Sequence, residues 1–170
     1  MKIDRVVVGC LQTNCYILSI GDNCLVIDPG DEYNKIKEVI GNKNVVGVIV
    51  THNHFDHVGA LNYFDNIYDY HNLKEGINNI GDFSFEVIYT PGHTDDSIVI
   101  YFKKDNVMFV GDFIFKDGVG RIDLGGNYYD LVSSIKKISK YDKDIILYPG
   151  HGESTKLGIE IEKLVSLYSY

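Results

Sequence analysis

The stretch that decides the fold is residues 51–57, THNHFDH, which follows the apolar run VVGVIVT and precedes VGALNYF, a segment that could form a helix. Three of the six histidines in the chain, and one aspartate, lie in six consecutive positions. In an extended segment, residues i and i+2 face the same side, so His52 and His54 can bind one ion. Asp56 and His57 follow where the chain turns, and they can point toward a second ion.

Three further apolar runs also end in residues of metal-ligand type. FEVIYTPG leads into His93, VMFVG into Asp112 and IILYPG into His151, so that five of the six histidines follow apolar runs. The carboxyl ends of strands are where α/β sheets bind ligands, and we expect these side chains to converge on one cleft. A single histidine at a strand end is more often an ordinary loop residue, and His71 is interpreted in that way.

Five imidazoles that converge on one cleft need a stabilising partner, because their protonated forms repel one another and their desolvation is unfavourable. Divalent ions remove both problems, and imidazole with carboxylate suits zinc, iron or manganese. Seven ligands are too many for one tetrahedral zinc but suit two ions that share a bridge. Asp112 is the natural bridge, because a carboxylate has two oxygens. The sequence therefore predicts two divalent ions, with zinc as the first choice and iron or manganese as alternatives.

The rest of the chain predicts an α/β fold in which sheets are covered by helices. Eight strands are predicted: RVVVG, NCYILSI, NCLVID, VVGVIVT, FSFEVIYT, SIVIYF, NVMFVGD and DIILYPG. Three amphipathic helices are predicted over residues 32–41, 128–140 and 155–168. No linker or repeat divides the 170 residues, so residues 1–170 are expected to form one domain.

Composition and charge limit the kinds of partner that we expect for this protein. The net charge of −8 argues against nucleic acid as a partner. No run of about 18 apolar residues exists, which argues against a membrane span, and the charged N-terminus is unlike a signal peptide. We therefore expect a cytoplasmic protein with a small-molecule substrate, and the sequence leaves its oligomeric state open.

The motifs THNHFDH, PGHT, GD and PGHG, in that order, resemble those of the metallo-β-lactamase superfamily, and NCYIL and VIDPG are similar to its first strands. The resemblance implies a four-layer αβ/βα sandwich of two mixed β-sheets with helices on both outer surfaces. It implies His52, His54 and His93 as ligands of the first ion, Asp56, His57 and His151 as ligands of the second, and Asp112 as the bridge. Asp28, in VIDPG, is expected beside the site as a hydrogen-bond partner of a ligand histidine; a plain turn residue is the alternative.

The form HxHxDH, the bridging aspartate and the loop GVGRIDLGG at 118–126 resemble the glyoxalase II-like hydrolases within this superfamily. Two features depart from that group. Only 19 residues follow His151, so the C-terminal helical domain that contributes much of the glutathione site is not expected here. Asp95 and Asp96 stand where relatives often have proline and a small residue, and their charges would disfavour an anionic substrate group.

The resulting prediction is metal-assisted hydrolysis of a thioester or related ester, with Asp56 as the residue that orients the attacking group. Arg121 lies on the 118–126 loop, where it could bind a substrate carboxylate or form an ion pair with Asp123. One alternative is a mononuclear-iron persulfide dioxygenase of the same fold, whose iron ligands by resemblance are His52, His93 and Asp112. Another is a binding protein with a structural metal site, although such sites are normally closed and rich in cysteine.

Overall fold

The first five strands form one mixed sheet. The computed structural model describes the backbone of residues 1–168 and the side chains of residues 1–166, so the last positions of the predicted 1–170 domain lie outside the described residues. The strands are β1 (Lys2–Val8), β2 (Thr13–Ile20), β3 (Asn23–Ile27), β4 (Asn44–Ile49) and β5 (Ile67–Tyr68). They lie in the order β1-β2-β3-β4-β5. The first two pairings are antiparallel, and the pairings of β3 with β4 and of β4 with β5 are parallel.

The second sheet is also mixed and is built from later segments of the chain. Its strands are β6 (Gly76–Ile80), β7 (Phe83–Tyr89), β8 (Ile98–Phe102), β9 (Val107–Gly111), β12 (Ile146–Pro149) and β13 (Thr155–Lys156), in the order β13-β12-β9-β8-β7-β6. Strands β12 and β9 pair in parallel, and the other neighbours in this order are antiparallel. Between β9 and β12 in sequence, β10 (Ile114–Phe115) and β11 (Gly118–Val119) form a short separate ribbon.

Helices cover the outer face of each sheet. The helices of the chain are α1 (Tyr33–Ile40), the single turn α2 (Phe55–Val58), α3 (Tyr128–Ile138) and α4 (Leu157–Tyr168), and a 3₁₀ turn lies at Leu61–Tyr63. Helix α1 packs on the first sheet, and α3 and α4 pack on the second. No helix in the part of the chain described above is both long and apolar enough to cross a membrane.

Three apolar cores separate the four layers, and β2 shows how its sequence serves two of them. All of its residues but the last are buried. Neighbouring side chains on a strand point to opposite faces, so Ile17 packs toward α1 while Leu18 packs between the sheets. Phe85 and Phe109 meet Leu18 in that central core from the second sheet. The predicted sandwich of two mixed sheets with outer helices is confirmed.

The structure differs from the sequence prediction mainly in short or polar elements. All eight predicted strands are present, but β5, β6, β10, β11 and β13 were missed. Strand β6 has the sequence GINNI and lies at a sheet edge, where Ile77 is 71% exposed, so it lacks an apolar pattern. The segment VGALNYF is not a regular helix. Helix α2 begins earlier, at Phe55, and the 3₁₀ turn follows it.

Candidate metal centre

Both sheets send ligand-type side chains to one edge of the sandwich. From the first sheet, the end of β4 leads into His52 and His54, and α2 carries Asp56 and His57 in its single turn. From the second sheet, His93 follows β7, Asp112 follows β9 directly and His151 follows β12. The structure thus brings together all seven residues that the sequence analysis selected, whereas His71 lies outside the ligand groups found among the described residues.

These side chains form two groups with Asp112 between them. Ligand atoms of His52, His54 and His93 lie within 4.8 Å of one another, and those of Asp56, His57 and His151 do the same. Asp112 forms a third such group with His52 and His57, one residue from each of the other two. Its Oδ1 is 3.3 Å from His57 Nε2, and its Oδ2 is 3.4 Å from His151 Nε2 and 3.7 Å from His93 Nε2. Oδ1 therefore faces His57 of the second group, and Oδ2 lies near one imidazole of each group.

Several of these atoms are buried without a hydrogen-bond partner. They are His52 Nε2, His57 Nε2 and Asp112 Oδ1; the last two lie 3.3 Å apart but do not have hydrogen-bond geometry. Buried polar atoms are normally hydrogen-bonded, and leaving one without a partner costs about 1–3 kcal/mol. Divalent cations would satisfy all three atoms, and imidazole nitrogens with carboxylate oxygens are a donor set for zinc, iron or manganese. The residues fit the metal ions that the sequence analysis predicts.

The ring nitrogen that faces away from the centre has an oxygen neighbour in all five imidazoles. His52 Nδ1 lies 3.1 Å from Thr51 Oγ1, His57 Nδ1 2.9 Å from Asp28 Oδ2, His93 Nδ1 2.5 Å from Arg121 O, His151 Nδ1 3.0 Å from Leu11 O, and His54 Nε2 3.2 Å from Leu124 O. A nitrogen that donates its proton outward leaves the other nitrogen free to bind metal. His54 therefore turns Nδ1 toward the centre, and the other four imidazoles turn Nε2.

Asp28 orients two of these imidazole rings through hydrogen bonds. Its carboxylate is 2% exposed and accepts hydrogen bonds from the Thr51 amide and the Thr51 hydroxyl, both at 2.7 Å, as well as from His57 Nδ1. Because the Thr51 hydroxyl donates its only proton to Asp28, it accepts from His52 Nδ1. One carboxylate thus orients His57 directly and His52 through Thr51.

Burial and charge act in opposite directions on these groups. Burial lowers the pKa of His52 well below its ordinary value, and it lowers the pKa of His93 as well. Burial also opposes the charged form of His57, but Asp28 and Asp112 outweigh it and raise the pKa of His57 to about 10. The pKa of Asp112 is held well below its usual range, because His151 and His57 overcome the effect of burial. An ion that binds at His57 Nε2 must displace a proton.

The 118–126 loop supports the centre through its backbone. The carbonyl oxygens of Arg121 and Leu124 are the acceptors for His93 and His54. The Arg121 side chain donates two hydrogen bonds to Asp123, of 2.7 and 2.6 Å, and both side chains are more than 60% exposed. Of the two roles considered for Arg121, the ion pair is the one that the structure contains, and carboxylate binding stays a prediction.

Strand β2 contributes residues that the sequence analysis did not select. The Thr13 hydroxyl donates to Asp56 Oδ2 at 2.8 Å, and Thr13 also forms an isolated bridge with His151. The Asn14 side chain donates to the carbonyl oxygens of Pro149 and Gly152, on either side of His151. Threonine and asparagine are not typical metal ligands, so only their occurrence as a buried polar pair, at the start of an otherwise apolar strand, could have indicated a role.

The centre lies at the bottom of an open cleft of about 330 Å³. Five of the ligand-type residues line it, namely His54, Asp56, His93, Asp112 and His151. Leu11, Phe55, Phe115 and Leu124 supply apolar walls. Asp96 is not among the lining residues and instead accepts a hydrogen bond from the Asn53 amide, which ties the loop after β7 to the loop after β4. A ligand set at the bottom of an open cleft is typical of a catalytic metal site rather than a closed structural one.

Comparison with known proteins agrees with this geometry. The sequence model of the metallo-β-lactamase superfamily matches residues 8–76 and 72–151. The chain belongs to this superfamily. The probable metallo-hydrolase YqgX of Bacillus subtilis is 33% identical, over 91% of this chain and 92% of the relative. The hydroxyacylglutathione hydrolase GloC of Haemophilus influenzae is 30% identical, over 94% of this chain and 95% of the relative.

Solved structures of the superfamily superpose closely. The B3 metallo-β-lactamase BLEG-1 has a TM-score of 0.89 at 29% identity and covers 95% of this chain, which in turn covers 97% of BLEG-1. TTHA1623, in a di-iron-bound form, has a TM-score of 0.84 at 30% identity and covers 92% of this chain, which in turn covers 96% of TTHA1623. The family and its hydrolase-named members support an enzyme of the metallo-hydrolase type.

Proposed function

We propose that the protein is a hydrolase that uses two divalent metal ions, most suitably zinc, to cleave a thioester or a related ester. One observation carries the proposal: seven ligand-type side chains form two adjacent groups with Asp112 between them, at the bottom of an open cleft. His52, His54 and His93 would hold the first ion, Asp56, His57 and His151 the second, and Asp112 both. TTHA1623, the similar structure described as di-iron-bound, supports a pair of ions and keeps iron as an alternative.

Bound divalent ions would polarise the substrate carbonyl and make water acidic enough to attack at neutral pH. The protein's own groups supply orientation. The Thr13 hydroxyl holds Asp56 through Oδ2, and the Asp56 carboxylate lines the cleft, where it can accept a hydrogen bond from the attacking water. With metal bound, Asp28 and Thr51 would accept the Nδ1 protons of His57 and His52, so that Nε2 is the nitrogen that binds. No serine or cysteine nucleophile is needed.

The thioester part of the proposal rests on similarity to hydrolases of this kind. GloC is named a hydroxyacylglutathione hydrolase, and this chain covers 95% of it. The short stretch after His151 is therefore too weak a reason to exclude glutathione thioesters. We propose thioester hydrolysis as the general activity and leave the preference for glutathione to experiment.

The proposal is tested by metal content and turnover on one preparation. Protein purified with added zinc should hold two ions per chain and should hydrolyse S-lactoylglutathione or simpler thioesters. A chelator should abolish turnover, and zinc should restore it. His54→Ala should lose most activity, whereas His71→Ala, an exposed histidine away from the cleft, serves as the matched control. Failure of the metal-loaded protein to cleave any ester or thioester would refute the proposal.

The dioxygenase alternative makes a different prediction on the same preparation. A mononuclear-iron enzyme would hold one iron per chain and consume oxygen with a persulfide substrate. We expect no oxygen uptake with glutathione persulfide, measured with an oxygen electrode on iron-loaded protein. Rapid uptake, together with one iron per chain, would favour the dioxygenase.

A further inference from the structure

We propose that the substrate presents an uncharged, apolar arm to the cleft, on either the acyl or the thiol side of the scissile bond. This inference rests on the proposed hydrolase function and names the substrate class of the same site. It follows from two independent observations, which concern the apolar rim of the cleft and the charges along it.

The rim of the cleft is apolar next to the metal ligands. Leu11 is 50% exposed, Phe55 is 72% exposed and Leu124 is 53% exposed. All three line the cleft, with Phe115 beside them. Covering such surface is favourable at about 25 cal/mol per Å² of apolar area. An arm that lies across these side chains would therefore bind more tightly the more apolar area it covers.

Two of these apolar residues are tied to ligand imidazoles. The Leu11 carbonyl is the acceptor for His151, and the Leu124 carbonyl is the acceptor for His54. Phe55 lies in sequence between His54 and Asp56. The apolar rim is therefore held in a fixed position relative to the metal centre, within reach of groups next to the scissile bond.

The charges of the lining residues disfavour an anionic arm. Among the described residues that line the cleft, Arg121 is the one lysine or arginine, and its guanidinium is engaged by Asp123 through two hydrogen bonds. A second cavity of about 190 Å³ adjoins the cleft, with Leu11, Phe55 and Asp56 common to both. Its charged lining residues are Asp31 and Asp56, both acidic. A substrate carboxylate outside the metal centre would meet carboxylates or would have to separate Arg121 from Asp123.

The test compares thioesters that differ in one arm. One series fixes a neutral thiol, N-acetylcysteamine, and varies the acyl group from acetyl to butyryl to hexanoyl. The other fixes acetyl and lengthens the thiol from ethanethiol to hexanethiol. We expect kcat/KM to rise in at least one series, by about two- to fourfold for each methylene that the rim covers. Succinyl-N-acetylcysteamine, the anionic counterpart of the butyryl compound, should be cleaved about tenfold less efficiently than butyryl.

Variants locate the effect on the rim. Leu124→Ser and Leu11→Ser keep the backbone carbonyls but remove the apolar side chains, so the dependence on chain length should flatten in both. Ile77→Ser removes an isoleucine that is 71% exposed on the edge strand β6, and it should keep the parental dependence. A flat response in both series, or better cleavage of the succinyl compound or S-lactoylglutathione, would overturn the inference while leaving the hydrolase proposal intact. No cleavage of any of these compounds would overturn both.

Discussion

Replacing Asp28 by asparagine tests how the protein keeps its imidazoles ready for metal. The buried carboxylate accepts from the Thr51 amide, the Thr51 hydroxyl and His57 Nδ1. Asparagine keeps the size, and it tolerates the left-handed backbone conformation at this position, where φ is 51°. If the carbonyl oxygen of the asparagine side chain still accepts the hydrogen bond from the Thr51 amide, the NH₂ group of that side chain faces His57 Nδ1. That nitrogen must then accept, so the ring proton moves to Nε2, the atom that faces the centre.

The same change reaches His52. With an NH₂ group opposite, the Thr51 hydroxyl accepts from the introduced amide and is free to donate to His52 Nδ1, which again places the ring proton on Nε2. A hydrogen bond to a charged group contributes about 1.5–3 kcal/mol. Losing about 2 kcal/mol of support for the metal-binding tautomers corresponds to roughly thirtyfold weaker binding, since about 1.4 kcal/mol is a factor of ten. Removing the Asp28 charge also lowers the pKa of His57 and weakens proton competition at neutral pH, which offsets part of this loss. We therefore expect metal affinity to fall by about 10-fold.

The assay is zinc competition with a chromophoric chelator, followed by thermal melting and thioester turnover at limiting and saturating zinc. Asp28→Asn should regain a large part of its activity at saturating zinc, because the ligands themselves remain. Asp82→Asn is the matched control, since it removes one carboxylate charge at an exposed position that accepts a single bond from Asn23. Zinc affinity within twofold of the parent protein, in a folded Asp28→Asn variant, would show that this carboxylate does not set the tautomers.

Three further predictions concern the centre itself. Asp112→Asn should bind fewer than two ions per chain, because an amide has one acceptor oxygen where the carboxylate has two. Its rate of hydrolysis should fall by about a hundredfold or more. Full activity, with two ions per chain by elemental analysis, would show that the two ions do not share Asp112. Gly150→Ala should weaken metal binding and slow turnover, since a β-carbon there would collide with Asp112 Oδ1 and crowd His57; zinc competition that matches the parent would contradict this. In protein stripped by a chelator, the pKa of His57 of about 10 means that the ring is protonated at neutral pH. Zinc must displace that proton, so affinity should rise by up to tenfold per pH unit from pH 7 to 9, and calorimetry in buffers of different ionisation enthalpy should detect the released proton; no proton release would refute the assignment.

The ligand positions could be predicted because each combines two sequence signals. An apolar run predicts a strand, and a histidine or aspartate that follows the run is predicted to lie at the carboxyl end of that strand. His93 and His151 lie at the same edge of the structure for this reason, although 58 positions separate them in the sequence. The same runs, together with the amphipathic helices, predicted sheets covered by helices, since strands with both faces covered carry few polar residues. The arrangement in four layers was implied by the family resemblance.

The groups that hold the ligands could not be predicted in the same way. The carbonyl oxygens of Leu11, Arg121 and Leu124 orient three imidazoles, yet every residue has a carbonyl and no sequence signal marks the ones that are used. Thr13 has an informative side chain, but its contact with Asp56 depends on how strand β2 pairs with the loop after β12. Such contacts depend on three-dimensional proximity between distant parts of the chain.

The bridge between Thr13 and His151 has a consequence for how the protein matures in the cell. His151 lies 94 positions after His57, and at about 5–20 residues per second its synthesis follows by about 5 to 19 seconds. During that interval the emerging THNHFDH segment offers a passing cation only part of a binding set. The second group of ligands, Asp56, His57 and His151, is complete once strand β2 pairs with the loop after β12. The second group of ligands is therefore complete only in a chain that has been synthesised past His151.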